Sequence, residues 1–237
     1  MCEDRGHRFA QDNRLKSLYD LHGDRSGDTP TSIRRPKATL RDDYRYPLSN
    51  SPHLLPVDLH FLRFCGANGI GVDLLTDHDL DAEGIQALQC YSGLFTGSHP
   101  EYWSPRMMAA LDQFLDGGGN LAYQGGNGFY WVVAIEGALM ELRRDASDSL
   151  WTSPGGELHM ALSGEPGRHW EARGRPTQSF LGSTYLMMSF GPSRHYKRLP
   201  GSMHGEFAGV FAGVDAQPIG DSGIVLGGAA GYEVGPI

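Results

Sequence analysis

Two short stretches of this chain gather side chains that can move protons. His99-Pro100-Glu101-Tyr102-Trp103 brings an imidazole, a carboxyl and a phenol close together, and Asn127-Gly128-Phe129-Tyr130-Trp131 brings a carboxamide and a second phenol. Downstream, Glu157, His159 and Glu165 add carboxylates and another imidazole in a loop-rich stretch. Groups of this kind serve as general acids and bases when the backbone aims them at one point. Pro100 and the flanking glycines let the backbone turn sharply there. The aromatic residues also read as half-buried packing residues with satisfied hydroxyls, and residue types alone leave both readings open.

Other chemistries lack their motifs. Gly126-Asn127-Gly128-Phe129-Tyr130-Trp131 misses the third glycine of a dinucleotide-binding turn, and Leu226-Gly227-Gly228-Ala229-Ala230-Gly231 has the wrong spacing. There is no phosphate-binding P-loop. Ser98 does not sit in a nucleophile elbow, and Gly220-Asp221-Ser222-Gly223 echoes a serine-protease loop without its framework. The paired-histidine helix of zinc peptidases is absent. Cys2, Cys65 and Cys90 have neither disulfide nor zinc spacing.

The two motifs need a scaffold, and the apolar pattern supplies one. Residues 58–65 have near-helical spacing and end at Gly66. Residues 71–75 read as a short buried strand, and 81–89 as a helix capped by Asp81. Residues 93–96 read as a second strand. Residues 104–115 form the clearest helix, with Ser104 as cap, Pro105 in the first turn, an apolar face of Met107, Met108, Leu111, Phe114 and Leu115, and a stop at Gly117-Gly118-Gly119. Residues 120–123 read as a third strand. Short apolar strands alternating with helices indicate a parallel sheet flanked by helices, an α/β fold that binds ligands beyond the C-terminal strand ends. Thr76-Asp77-His78-Asp79, the His99 motif and the Asn127 motif all fall at such ends. The second half, with apolar runs at 180–190 (bent at Gly182), 207–214 and 224–230, reads as an irregular mixed β extension.

The 237-residue chain has a formal charge of −8, which disfavours nucleic acid and anionic membrane surfaces as partners. No apolar run is long enough to span a bilayer and no secretory leader opens the chain, so the cytoplasm is the expected compartment. Residues 1–50, polar and aperiodic, read as an extended N-terminal arm, and 51–237 as the catalytic domain.

An ordered set of motifs carries a resemblance. It runs through Ser17-Leu18-Tyr19-Asp20, Arg34-Arg35-Pro36, Val57-Asp58-Leu59, Asp73-Leu74-Leu75-Thr76-Asp77-His78-Asp79-Leu80 and Thr96-Gly97-Ser98-His99-Pro100-Glu101-Tyr102. It continues through Gly125-Gly126-Asn127-Gly128-Phe129-Tyr130-Trp131, Gly164-Glu165, Gly174-Arg175-Pro176 and Gly227-Gly228-Ala229-Ala230-Gly231-Tyr232-Glu233. This succession resembles the C-terminal catalytic domain of the N,N-dimethylformamidase large (beta) subunit family over nearly the whole chain. The resemblance implies a glutamine-amidotransferase-like (flavodoxin-like) domain holding one ferric ion by two tyrosinates and a glutamate, and hydrolysis of dimethylformamide to dimethylamine and formate.

Carried onto this chain, it implies Tyr102 and Tyr130 as iron ligands, Glu165 or else Glu157 as the carboxylate, and His99, Glu101, His159 and Glu233 in proton transfer or ligand support. Fe³⁺ is hard and prefers such oxygen donors. A small partner subunit or self-association is also implied. Arg168 stands where the family pattern has glycine and Glu171 where it has arginine, and the chain stops where relatives continue. The expectation is therefore a shortened family member: an iron-dependent amidohydrolase, a related hydrolase of another substrate, or an inactive interaction domain.

Overall fold

The computed structural model describes residues 12–14, 18, 20, 29–46, 50–144, 157–185, 187–188, 194–214, 219–220 and 233–234. By contacts the chain divides into two compact units, Met1–Thr184 and Tyr185–Ile237.

The first unit is built around helix α3. Helix α1 spans Leu55–Ala67 and helix α2 Asp77–Glu83. Strand β2 (Gly93–Phe95) pairs in parallel with β4 (Asn120–Ala122), and α3 (Pro105–Asp116) lies in the connection between them. A four-stranded sheet has the order β1-β6-β5-β3. Here β3 (Tyr102–Trp103) runs parallel to β5 (Trp131–Glu136), while β6 (Leu139–Leu142) and β1 (Thr31–Ser32) add antiparallel pairs. Part of the N-terminal arm is thus a strand of this sheet.

Helix α3 forms where its residues predict. The Ser104 hydroxyl accepts the Met107 amide at 3.1 Å, and Pro105 needs no amide partner in the first turn. Met107, Met108, Ala110, Leu111 and Phe114 are buried, packing with Trp103, Phe129, Val132, Met160 and Trp170. Gly117 caps the helix, and Gly119 folds back against Phe114, whose ring would lie 2.4 Å from any Cβ placed there.

Ser104 also donates to the buried carboxylate of Asp81. Asp81 therefore does not cap a helix, as its position suggested. Thr76 does, through a reciprocal box in which its hydroxyl accepts the Asp79 amide and the Asp79 carboxylate accepts the Thr76 amide. Gly84, at φ +61, ends that helix early, and Gly84–Ala87 continues as a 3₁₀ turn. Ser104→Ala removes a cap and leaves Asp81 without this donor, so unfolding in denaturant should show a loss of about 1–3 kcal/mol.

Further local expectations fail, and one element was not foreseen. Residues 71–75 join no strand, and Val72 and Leu74 stand 43% and 77% exposed. Glycines at 66, 69 and 71 raise the entropic cost of extending that run, and the Thr76 box turns the chain at its end. The β5–β6 hairpin was not expected. It closes through Gly137-Ala138, with Gly137 at φ +55 in the first loop position, as a primed turn requires. Residues 180 and 181 end helix α4 (Thr177–Leu181), and Gly182 at φ +70 is its left-handed cap, not a bend in a strand.

In the second unit, β7 (Met187–Met188) pairs antiparallel with β8 (Glu233–Val234). The apolar, glycine-rich run near 207 forms a 3₁₀ helix over Gly205–Phe211, with the Arg198 guanidinium 4.4 Å from the Phe211 ring centroid. Residues 224–230 lie outside the described residues.

Candidate active site

Residues 97–101 leave the C-terminal end of β2 and enter β3, while residues 123–130 leave β4 and enter β5. The two segments run side by side. Ser98 O accepts the Gly126 amide at 3.1 Å, Pro100 O the Phe129 amide at 2.8 Å, and Glu101 O the amides of Tyr130 and Trp131 at 3.1 and 2.8 Å. A Cβ on Gly125 would lie 2.2 Å from Ser98 O, so only glycine permits this approach. Asn127 and Phe129 hold φ of +50 and +55, and Phe129 is buried. Non-glycine residues seldom adopt that conformation, and such strain concentrates at functional loops. Ser98 Oγ and Asn127 Oδ1 are buried without a hydrogen-bond partner among the described residues.

His99 is half-buried and meets the His53 ring edge-on, with centroids 4.6 Å apart. Burial first, and the neighbouring His53 second, bring its pKa from the ordinary 6.5 down to about 4. The ring is therefore neutral at physiological pH, with a nitrogen lone pair, and burial makes it a weaker base that gives up a proton readily. His53 is also lowered by burial, opposed by the nearby Asp58 carboxylate. Asp58, in the first turn of α1, accepts the Ser98 amide at 2.8 Å and so holds the His99 loop in place.

Glu101 Oε1 accepts the Trp131 indole N–H at 3.1 Å. Trp131 is the sheet partner of Tyr102, and the Tyr130 ring packs edge-on against it at 4.9 Å. Tyr102 and Tyr130 flank one apolar cluster of Leu18, Trp131, Val133 and Leu142. His169 stacks on Tyr130 at 5.6 Å, brought there by a bridge from Trp131 to His169. The fold thus brings Glu101, Tyr102 and Tyr130 around Trp131, with His99 two residues from Glu101.

The downstream candidates are engaged elsewhere. Glu165 forms an ion pair with Arg173 at 2.8 Å. Glu157 accepts both the amide and the ring nitrogen of His159, which lowers its pKa, and both residues are exposed. Glu233 opens β8 in the second unit, and its side chain is outside the described atoms. Arg168, the residue standing in place of glycine, has φ +72, the left-handed conformation that glycine adopts freely.

His53 and His169 went unnoticed in the sequence. His53 carries no motif of its own, and only the following Leu54-Leu55-Pro56, a helix start, marks its surroundings. His169 follows the departure at Arg168 and becomes visible only through its bridge to Trp131. Among the described residues no cluster of three or more His, Cys, Asp or Glu could hold a metal, and no helix is long and apolar enough to cross a membrane. Phenols fall outside that set. Tyr102 and Tyr130 beside Glu101 supply hard oxygen donors, a chemistry that suits ferric iron.

These ionisable groups sit on loops that leave the C-terminal ends of the parallel pair β2 and β4, in a structure of helices and mixed sheets. The chain belongs to the N,N-dimethylformamidase beta subunit-like, C-terminal family, whose profile matches residues 13–236. It is 36% identical over 222 residues to the N,N-dimethylformamidase beta subunit of Paracoccus aminophilus, and equally to that of Alcaligenes sp.. Each alignment covers 92% of this chain and 29% of the relative, so the chain spans under a third of the length of these relatives.

Proposed function

We propose that this chain carries the catalytic centre of an iron-dependent amide hydrolase, cleaving a small N-substituted amide such as dimethylformamide into formate and dimethylamine. The observation that carries the reading is the stitching of the His99-Pro100-Glu101 loop to the loop before Tyr130 at the strand ends. The names of the relatives support the substrate class. A glutamine-amidotransferase-like arrangement is part of the proposal, supported by the parallel pairs β2–β4 and β3–β5. Because both relatives are named as subunits, we also place this chain beside other chains in a cytoplasmic assembly.

Tyr102 and Tyr130 would hold the metal as phenolates. Glu101 precedes Tyr102 and is bonded to the Trp131 indole, whereas Glu165 and Glu157 would have to leave Arg173 and His159. Ferric iron, when bound, supplies a Lewis acid that polarises the amide carbonyl and acidifies water. His99, neutral at working pH, takes the proton from the attacking water and returns it to the leaving amine. Trp131 fixes the Glu101 carboxylate through its indole N–H, and the apolar cluster behind the tyrosines excludes bulk water.

Metal analysis with a visible spectrum tests the reading. Purified protein should contain about one iron per chain and show a tyrosinate-to-iron charge-transfer band. Tyr102→Phe should weaken and shift the band and lose most of the activity on dimethylformamide. Colourless protein that takes up no ferric iron on reconstitution would sink the iron-hydrolase reading and leave an interaction domain in its place.

A further inference from the structure

The segment before α1 folds into a small closed loop with no assigned role. Arg45 bridges to Pro52, Tyr46 N donates to Ser51 O at 2.8 Å, Asn50 N donates back to Tyr46 O at 2.7 Å, and the Arg45 guanidinium caps Asn50 O at 2.7 Å. Asn50 and Leu54 turn the chain with φ of +51 and +59. This closure sets the buried Tyr46 ring against His53 at 4.8 Å, and His53 in turn against His99 at 4.6 Å. Three rings therefore form a column from the interior of the loop to the strand-end site. Asp58, five residues past His53, bonds the amide of Ser98 and so tethers the backbone one residue before His99. Gly97 lies so close to that carboxylate that a Cβ there would be 3.4 Å from it.

An imidazole used as a base must present one particular nitrogen, and a ring flip about its last side-chain bond exchanges the two. A ring pressed edge-on by a neighbour, on a backbone tethered one residue away, cannot flip without moving both. We propose that Tyr46, His53 and Asp58 form a clamp that fixes the orientation of the His99 imidazole, with His53 as a positioning residue of the hydrolytic site. The catalytic half of this statement rests on the amide-hydrolase reading; the clamp itself does not. Of the titratable groups around it, His53 meets the His99 ring directly, Asp58 lies beside His53 and bonds the Ser98 amide, and the Glu101 amide bonds the His99 carbonyl.

The test uses the full chain with ¹⁵N-labelled histidine, read by NMR at neutral pH, with the His99 ring signals assigned by their loss in His99→Gln. Wild type should show one sharp pair of ring nitrogens for His99. His53→Ala should broaden or shift that pair as the ring samples two orientations with different surroundings, while His53→Phe, which keeps a flat ring, should restore the wild-type pattern. On dimethylformamide, His53→Ala should lower kcat by about 10- to 100-fold with little change in KM. If His53→Ala fails to fold, His53→Leu, which keeps bulk but no ring plane, should give the same disturbance. Unchanged His99 signals in His53→Ala or His53→Leu, or a His53→Phe as disturbed as the alanine variant, overturn the clamp. Because the spectra need no substrate, a disturbed His99 in a protein that cleaves no amide upholds the clamp and defeats only the hydrolase reading. An active enzyme with undisturbed His99 defeats only the clamp.

Discussion

Glu141→Ala should destabilise the protein by about 3–5 kcal/mol, a large fraction of the total stability of a typical domain. Glu141 is fully buried near the end of β6, and its two oxygens serve different partners. Oε1 accepts the Arg143 Nε–H at 2.8 Å, and Oε2 accepts the backbone amide of Leu162 at 2.8 Å. Arg143 is only 6% exposed, so alanine at 141 strands a guanidinium in a low-dielectric interior and orphans an amide. The same residue anchors the loop from 157 to 170: Arg143 O accepts the Arg168 amide, and Gly167 packs onto the Arg143 backbone. That loop delivers His169 to Tyr130, so the variant should also lose activity. Glu141→Gln keeps an acceptor for Leu162 and should cost less. Glu141→Leu combined with Arg143→Met, which removes both charges, should regain most of the loss. Denaturant midpoints decide the matter, and an alanine variant within about 1 kcal/mol of wild type would show that the pair is not an anchor.

His99→Gln should reduce kcat on dimethylformamide by about 10²- to 10⁴-fold, the usual contribution of a positioned general base. Glutamine preserves size and hydrogen bonding, so the loss reports proton transfer and not collapse of the loop. The pH dependence gives a second readout. The folded pKa of about 4 lies below the ordinary 6.5, so the unfolded chain takes up this proton first as the solution is acidified. Stability contributed by the neutral ring is therefore complete above about pH 6.5 and declines as pH falls toward 4, by on the order of 2–3 kcal/mol. His99→Gln should flatten that part of the stability curve, and the wild-type rate should fall only below about pH 5. A variant with the same acid profile as wild type would remove His99 from both roles.

What could be read in the sequence was local. Ser104-Pro105 and the run of glycines bracket α3 with caps and breakers that act within one turn, so its limits were legible to a residue. Strands β2 and β4 stood out as short apolar runs between turn residues. By contrast, 71–75 has the composition of a buried strand yet joins no sheet and stands exposed, because composition does not say whether a neighbouring edge accepts it. Strand β3 is too short for any periodicity, and it exists because Trp131 and Val132 pair with it.

At the site, His99, Glu101, Tyr102 and Tyr130 were legible as strand-end residues and by family resemblance. The contacts of His53, Asp58 and His169 join segments far apart in the chain, which no local pattern encodes. Glu165 illustrates the converse. Its motif was legible, but its ion pair with Arg173 comes from the way the loop folds back.

The glycines at 125, 128 and 167 have a consequence for tracing ancestry. Any side chain at these positions would run into the Ser98 carbonyl, the Tyr123 ring or the Arg143 backbone at 2.2–2.4 Å. Selection on them is therefore selection on the closeness of two loops. By this geometry, a descendant that lost its chemistry but kept the two loops this close would still need glycine at these positions. The glycines thus report on a scaffold, and the chemistry of any one chain has to be read from the side chains the scaffold carries.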